Sequence, residues 1–299
     1  MNEILRLEHV TKSFSRRRIL KDIGLSLESG KVYGLLGNNG EGKTTMVRII
    51  TGVIPADGGR LFFKGAPIPF GAASHKTEIG YVPEDSFIYG WMKVGEFMDF
   101  NAAFYPGWDA GRAADFLKRF SLDGKARVAA LSRGLKLKLH LAAALAARPA
   151  LLILDDATSG IDVPTRRDFL KDIIAELADS GTTVFFSTHM VHELERIVEH
   201  LFILHGGEII LNEDYERIKD AAKRVVLRFD GDAPVKTDME GILDEIRNRR
   251  HLTLVVYPWT EEKRRRLEQM SPARLEVEPL GLEEIFESFV KNRQERTPC

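Results

Sequence analysis

Apolar and polar positions change rhythm several times along this chain, and each rhythm predicts an element. Leu5 and Leu7, then Ile23, Leu25 and Leu27, alternate with polar residues, the pattern of short half-buried strands closed by the turn Glu28-Ser29-Gly30. Val32-Tyr33-Gly34-Leu35-Leu36 is an unbroken apolar run suited to a strand buried on both faces. Met46, Val47, Ile49, Ile50 and Val53 then recur at helical spacing. A turn at Pro55–Gly59, a strand at Leu61–Phe63, and a strand over Ile79–Val82 stopped by Pro83 and followed by Glu84 and Asp85 come next. From Phe87 to Leu122 aromatics and alanines return at helical intervals, including Trp91, Phe97, Phe100, Phe104, Ala113, Phe116, Leu117 and Phe120. That stretch predicts a helical insert in an α/β core. Its aromatics read chiefly as packing, with a groove for a partner helix as the other reading.

Beyond the insert, Leu135–Ala147 predicts a helix ended by Arg148-Pro149, with Ser132 where an N-cap belongs. Leu151–Leu154 is a second buried-strand run and ends in Asp155-Asp156. Ser159-Gly160-Ile161-Asp162 precedes another helix, and Thr183–Ser187 predicts a strand with His189 just beyond it. After Tyr215–Ala222 the composition shifts. Strands at Val225–Phe229, Leu252–Tyr257 and Leu275–Val277 alternate with helices expected at Asp238–Arg249, Thr260–Met270 and Leu282–Lys291. The expected organisation is a domain over residues 1–221, with a helical subdomain at about 86–150, and a small α+β domain over 222–299.

The stretch Gly37-Asn38-Asn39-Gly40-Glu41-Gly42-Lys43-Thr44 changes this picture from fold to chemistry. It matches the phosphate-binding pattern G-x-x-x-x-G-K-[ST] at every required position, between a predicted strand and a predicted helix. The glycines let successive backbone N–H groups turn inward on phosphate oxygens, at a helix start where the dipole favours anions. Lys43 then reaches the β- and γ-phosphates, Thr44 offers a hydroxyl to Mg²⁺, and Thr45 closes the nucleotide-binding set.

Other candidates carry two readings each. Phe14, beside Arg16-Arg17-Arg18, either stacks on a base or packs under its own hairpin. Ser132 with Gly134 is a capped helix start or an anion site. Asp155 and Asp156, at the carboxyl end of a parallel strand, face a bound nucleotide and metal or form a solvated loop. An isolated histidine such as His189 is more often structural than catalytic. Lys263-Arg264-Arg265-Arg266, next to Glu261 and Glu262, reads as a solvated helix face rather than a nucleic-acid patch.

Composition narrows the classes further. With 44% hydrophobic and 29% charged residues, the chain can bury an ordinary core. A net charge of -1 argues against a dominant nucleic-acid surface, and no nucleic-acid partner is expected. Cys299 is the single cysteine, which excludes an internal disulfide and fits a reducing compartment. Residues Met1–Arg6 carry charge where a signal peptide needs an apolar core, and no apolar run approaches the ~18 residues of a membrane span. Action at a membrane is expected through docking to something else.

Taken in order, Phe14, the phosphate loop, Gly80–Glu84, Leu131-Ser132-Arg133-Gly134, Leu154-Asp155-Asp156, Ser159–Asp162 and His189 resemble the nucleotide-binding subunit of ATP-binding cassette (ABC) transporters. The resemblance covers residues 3–220, and the loop at 131–134, lying between the phosphate loop and the acids, separates this family from other P-loop ATPases. Ala103-Phe104-Tyr105 and Leu282-Glu283-Glu284-Ile285-Phe286 look like the exporter-type branch, whose membrane subunit is a separate chain. The fold so implied is a P-loop NTPase core of the ABC type, α/β, with an antiparallel β subdomain and a helical insert. The resemblance also implies roles. Two copies, alike or different, face head to tail, with ATP between one phosphate loop and the other copy's Ser132 and Gly134. Thr44, Glu84 and Asp155 hold Mg²⁺, Asp156 activates water, His189 contacts the γ-phosphate and Asp162 couples the two sites. Glu84 relays nucleotide state to a transmembrane permease on the inner face of the cell membrane.

Several positions depart from the family pattern. Asp156 replaces the usual Glu and Ala157 the usual proline; Glu84 replaces Gln; Phe14 replaces Tyr; the signature reads Leu-Ser-Arg-Gly-Leu rather than Leu-Ser-Gly-Gly-Gln. Asp is shorter than Glu by one methylene, ~1.5 Å of reach, and a misplacement near 1 Å costs on the order of 10²-fold in rate. Slow hydrolysis with near-normal ATP binding is therefore expected. An energy-coupling ATPase for export is the leading function, and a slowly hydrolysing dimerisation switch that regulates a protein partner is the alternative. A soluble cassette acting on ribosomes or DNA has little support, since the chain has one phosphate loop, no long heptad insert and one cysteine.

Overall fold

The computed structural model describes residues 3–70, 72, 74–84, 88–234, 237 and 239–296. Met1, Asp85, Phe87, Asp238 and Cys299, named above, lie outside the described residues. The chain divides into two compact units, Met1–His189 with Leu204–Ile209, and Met190–Ile203 with Ile210–Cys299.

The first unit opens on two long antiparallel strands, β1 (Glu3–Phe14) and β2 (Arg17–Glu28), with Leu5 opposite Leu27, Leu7 opposite Leu25 and Val10 opposite Ile23. These six apolar residues are buried, as their alternation requires. Phe14 closes β1 opposite Arg17. After β3 (Val32–Leu36) and helix α1 (Lys43–Ile50), strands β4 (Gly58–Phe63) and β5 (Ala66–Ile68) complete a sheet of order β2-β1-β4-β5. Gly59 is indispensable to that sheet. At φ +94 its missing Cβ would lie 2.5–2.6 Å from the carbonyl oxygens of His9 and Glu8, where β1 bulges.

Strand β6 (Ile79–Val82) leads to three helices, α2 (Val94–Ala102), α3 (Ala110–Arg119) and α4 (Arg133–Ala146). Phe97, Phe116 and Phe120 are buried there, whereas Trp91, Phe100 and Phe104 are more than half exposed. The aromatic stretch thus divides between packing and surface. Strand β7 (Leu151–Asp155), helix α5 (Val163–Ser180) and strand β8 (Thr183–Thr188) follow. Strands β3, β8, β7 and β6 lie side by side in that order, all parallel. Their continuous apolar runs are buried, apart from the partly buried Tyr81, because both faces of such a sheet are covered. The register sets Leu36 beside Thr188, Asp155 beside Ser187 and Val82 beside Leu154, so every carboxyl end opens on one edge.

The second unit begins with α6 (Val191–Leu194) and contains most of β9 (His200–His205) and β10 (Glu208–Asp214), whose turn at 204–209 belongs to the first unit. Helix α7 (Tyr215–Ala221) leads to four strands and two helices: β11 (Lys223–Arg228), β12 (Ile242–Arg247), β13 (His251–Val256), α8 (Glu261–Glu268), β14 (Arg274–Pro279) and α9 (Leu282–Arg296). The sheet is antiparallel, in the order β12-β13-β11-β14. Val225, Leu227, Leu252, Leu254 and Val256 form one face of it and pack with Leu267 of α8.

The helix expected over 238–249 is instead strand β12. Ile242, Leu243 and Ile246 satisfy helical spacing, but Leu243 is buried and a register shift between Ile242 and Asp244 seats the segment on β13. Reciprocal backbone bonds between Asn248 and His251 turn the hairpin, Asn248 N donating to His251 O at 2.8 Å and His251 N to Asn248 O at 3.3 Å. Tertiary pairing overrides local periodicity here. No helix among the described residues is long and apolar enough to cross a membrane.

Candidate functional site

The phosphate-type loop joins β3 to α1 as its spacing requires. Gly42, at φ +108, is the N-cap residue of α1, and a side chain there would strike Leu20 and Ile19 at 2.8 and 3.1 Å. Gly37 has a different reason: a Cβ would sit 2.7 Å from the Leu204 carbonyl oxygen. Asn38, Asn39 and Gly40 are exposed, with Gly40 at φ +81 over open space. The first turn of α1 carries no acid, so its positive end is uncompensated by any side chain of that turn. Glu41 braces the loop, accepting the Gly206 N–H at 2.5 Å and standing 3.0 Å from His205 Nδ1.

Lys43 is 5% exposed and folds back over the loop, its Nζ donating to the Gly37 carbonyl at 2.8 Å and the Asn38 carbonyl at 3.2 Å. Burial holds its pKa below the usual lysine value, and Asp156, Asp155, Glu84 and Glu41 oppose that shift. Its ammonium lies 3.9 Å from Asp156 Oδ2. Thr44 donates to Asp155 Oδ1 at 3.3 Å, and Thr45 follows it in α1, partly buried.

Asp155 ends β7 at 1% exposure. Its partners are neutral hydroxyls: Thr44, Ser187 Oγ at 2.9 Å, and the phenol of Tyr81. Burial pushes its pKa up, opposed by the Ser187 and Thr44 hydroxyls, and pushes the Tyr81 phenol up to about 12. A buried carboxylate held by hydroxyls alone suits a cation. No cluster of three His, Cys, Asp or Glu among the described residues forms a closed cage. Asp155 with the Thr44 hydroxyl beside it fits Mg²⁺ held by one or two carboxylates together with phosphate and water.

Asp156 takes a left-handed backbone, φ +47, and its N–H donates to the Ser187 carbonyl at 2.7 Å. Its Oδ1 accepts from Thr188 Oγ1 at 3.3 Å and lies 2.8 Å from His189 Nδ1. Lys43, Thr44, Asp155, Asp156 and His189 are thus brought together at the carboxyl edge of the parallel strands. Glu84 is exposed just past β6 and enters this group only through its charge, which acts on Lys43, Asp155 and Tyr81.

The hydrogen bonds of that group do not reach Phe14 or Ser132. Phe14 is 48% exposed, with Lys12 Nζ 5.4 Å from its ring centre. Ser132 is the N-cap of α4, its hydroxyl accepting from Leu135 N at 3.3 Å. Gly134 approaches Thr165 so closely that a Cβ would lie 2.6 Å from the threonine methyl. Asp162 accepts the Thr165 N–H at 3.1 Å, which holds its carboxyl below the usual range. The loops at 131–134 and 159–162 therefore meet, and Ser159 N donates to the Asp156 carbonyl at 3.0 Å.

Tyr81, Ser187 and Thr188 escape the sequence reading. Tyr81 and Ser187 lie in strand runs read only for their apolar residues and Thr188 lies just past one, and only the strand order β8-β7-β6 brings them to the two acids. The polar residues at the ends of those runs were the available signal.

A family model described as ABC transporter matches residues 20–159. The chain is 31% identical over 288 residues to the ABC transporter ATP-binding protein YtrB of Bacillus subtilis (strain 168), covering 95% of this chain and 97% of that one. It is 33% identical over 212 residues to the linearmycin resistance ATP-binding protein LnrL of the same organism, covering 69% and 68%. A solved structure of an ATP-binding subunit of an ABC transporter superposes with a TM-score of 0.65 at 23% identity, over 72% of this chain and 92% of that one.

Proposed function

This chain belongs to the ATP-binding proteins of ABC transporters, an ATPase family, and we propose that two copies, or one copy and a related subunit, close head to tail on ATP. The observation that carries this reading is the meeting of Lys43, Asp155, Asp156 and His189 at the carboxyl edge of the parallel strands, beside the N-terminus of α1. Ligands of open α/β sheets bind at that edge, and a helix start there favours anions.

In this reading Gly37, Asn38, Asn39, Gly40, Glu41 and Gly42 wrap the phosphates, and Phe14 stacks on the base. Lys43 exchanges its loop carbonyls for phosphate oxygens. Thr44, Glu84 and Asp155 hold Mg²⁺, which when bound neutralises phosphate charge. Asp156 receives a proton from the attacking water, with His189 orienting its carboxylate. Ser132 and Gly134 come from the facing copy, and Asp162 couples the two sites. Residues 1–221 form the ATPase domain, with a helical subdomain at about 86–150, and 222–299 a regulatory or dimer-stabilising domain. Closure drives a separate transmembrane permease, which holds the protein to the inner face of the cell membrane. The name of LnrL, a linearmycin resistance protein, supports export as the direction.

A slowly hydrolysing dimerisation switch is the second reading, and one observation favours it. Asp156 is a short carboxylate whose Oδ1 is already engaged by Thr188 and His189. The test is ATP binding and turnover of the purified chain against protein concentration, with Lys43→Ala as the blank. Saturable binding, with turnover per chain that rises with concentration, is expected. Absence of ATP binding would overturn the reading, and concentration-independent turnover would remove the head-to-tail pair from it.

A further inference from the structure

Phe14 stands half-exposed at the end of β1, where the ladder with β2 is irregular. The pairing slips between Val10 and Lys12 and again between Lys12 and Ser13. Slips of this kind leave strand groups unpaired and bend the chain. A strand end built this way needs another anchor if its last side chain is to hold one position.

Asp57, just before β4, supplies that anchor. Its backbone N–H donates to the Thr11 carbonyl at 2.9 Å, beside the pairing of Thr11 with Gly58. Its Oδ1 accepts from Lys12 Nζ at 2.8 Å, and its Oδ2 accepts the Ser13 N–H at 2.6 Å. Three consecutive residues of β1 are thus bonded to one aspartate, and the Lys12 and Ser13 bonds hold its carboxyl below the usual range. Lys12 is 9% exposed, and its ammonium also lies over the Phe14 ring, within the reach of a cation–π contact. The contacts therefore run from Asp57 through Lys12 to Phe14.

The same hairpin borders the phosphate loop. Lys12 pairs with Leu20, and Leu20 and Ile19 close on Gly42 at the N-cap of α1. Phe14 lies two residues beyond Lys12, ~7 Å along the strand. Helix α1 thus has the phosphate loop at its start and, beyond its end, the residue that anchors Phe14.

We propose that Asp57 is a positioning residue for the nucleotide base: through Lys12 and Ser13 it fixes the Phe14 ring as a stacking platform beside the phosphate loop. The inference rests on the reading above in which Phe14 stacks on the base. A ring that is already held loses less freedom on binding than one that must first be ordered. Stacking adds affinity through the base alone, so Asp57 contributes to the base's share of ATP binding and leaves the phosphates' share unchanged. A residue that only stabilised the hairpin would act on both shares alike.

The experiment uses the full-length chain as wild type, Asp57→Asn, Phe14→Ala, these two combined, and Lys12→Met combined with Asp57→Asn. Each is titrated calorimetrically with ATP and with inorganic triphosphate, both with Mg²⁺, and its melting temperature is measured. Phe14→Ala and Asp57→Asn are each expected to lose about tenfold in ATP affinity, while triphosphate affinity stays within about twofold of wild type. Adding Asp57→Asn to Phe14→Ala costs no more than about twofold further, because both changes act through one ring. Lys12→Met with Asp57→Asn leaves no buried ammonium unpaired, and is expected to show the same selective loss even where the single variant is too unstable to titrate. Unchanged ATP affinity in the Asp57 variants, equal losses for ATP and triphosphate, or full additivity with Phe14→Ala overturns the proposal. Phe14→Ala that binds ATP as wild type does would instead remove the stacking reading beneath it.

Discussion

The Nδ1 of His189 stands 2.8 Å from Oδ1 of Asp156, one residue past the end of β8 and one past the end of β7. The pair fixes where the short carboxylate points. Asp156→Glu extends the carboxylate by ~1.5 Å from the same backbone and, if Asp156 is the base proposed above, raises turnover about tenfold or more, with ATP affinity unchanged. His189→Ala leaves Thr188 as the sole hydrogen-bond donor to Asp156 Oδ1 among the described residues and is expected to lower turnover by about 10²-fold. Steady-state phosphate release beside equilibrium ATP binding checks both. Wild type as fast as Asp156→Glu would mean the held aspartate already has sufficient reach.

Lys43 spans the phosphate loop and the acids, bonded to two carbonyls and 3.9 Å from Asp156. Lys43→Ala is expected to weaken ATP binding by on the order of 100-fold, about 2.7 kcal/mol. Calorimetric titration with ATP measures it directly.

Gly37→Ala directs a methyl at the Leu204 carbonyl, a backbone atom that cannot rotate away. Overpacking of this kind costs about 1–3 kcal/mol. The expected outcome is a lowered denaturation midpoint together with roughly tenfold weaker ATP binding. By contrast Gly40→Ala meets no atom within 4 Å and carries only the strain of its φ of +81. Comparing the two variants separates collision from backbone strain.

His140 of α4 is packed edge-on against Phe97, with ring centres 5.5 Å apart, and its Nε2 finds no hydrogen-bond partner among the described residues. Burial holds its pKa down to about 4. The unfolded chain, with an ordinary value near 6.5, therefore binds the proton more readily between about pH 6.5 and 4. This contribution to stability is full above pH 6.5 and is lost as pH falls through that window, up to about 3 kcal/mol. His140→Leu should flatten the pH dependence of the denaturation midpoint between pH 6.5 and 4. An unchanged slope would place the acid sensitivity elsewhere.

How far the chain could be read from its letters follows from where each constraint resides. The phosphate loop was legible because two of its glycines are demanded locally, by positive φ at Gly40 and Gly42. The acids were legible because a buried apolar run has to end somewhere polar. Tyr81 and Ser187 were not, since what makes them partners of Asp155 is the parallel order of strands far apart in sequence. Strand β12 was hidden for a related reason. Its apolar spacing fits a helix, its turn at 248–251 has neither glycine nor proline, and only the waiting edge of β13 makes it a strand. Arg133 could be seen as a departure from a pattern, but its contact with Gly160 required the fold.

Both ends of the phosphate loop are braced by the same short turn: Gly37 against Leu204, and Glu41 against His205 and Gly206. That turn lies far downstream of everything else in its unit, and 14 intervening residues, Met190–Ile203, belong to the other one. The proposed nucleotide site is therefore discontinuous along the polypeptide. A chain still emerging from the ribosome cannot complete it when His189 has been made; it becomes whole only after residue 206 is free to fold back. Any dissection that aims at a minimal ATP-binding fragment meets the same boundary and has to cut beyond Ile209.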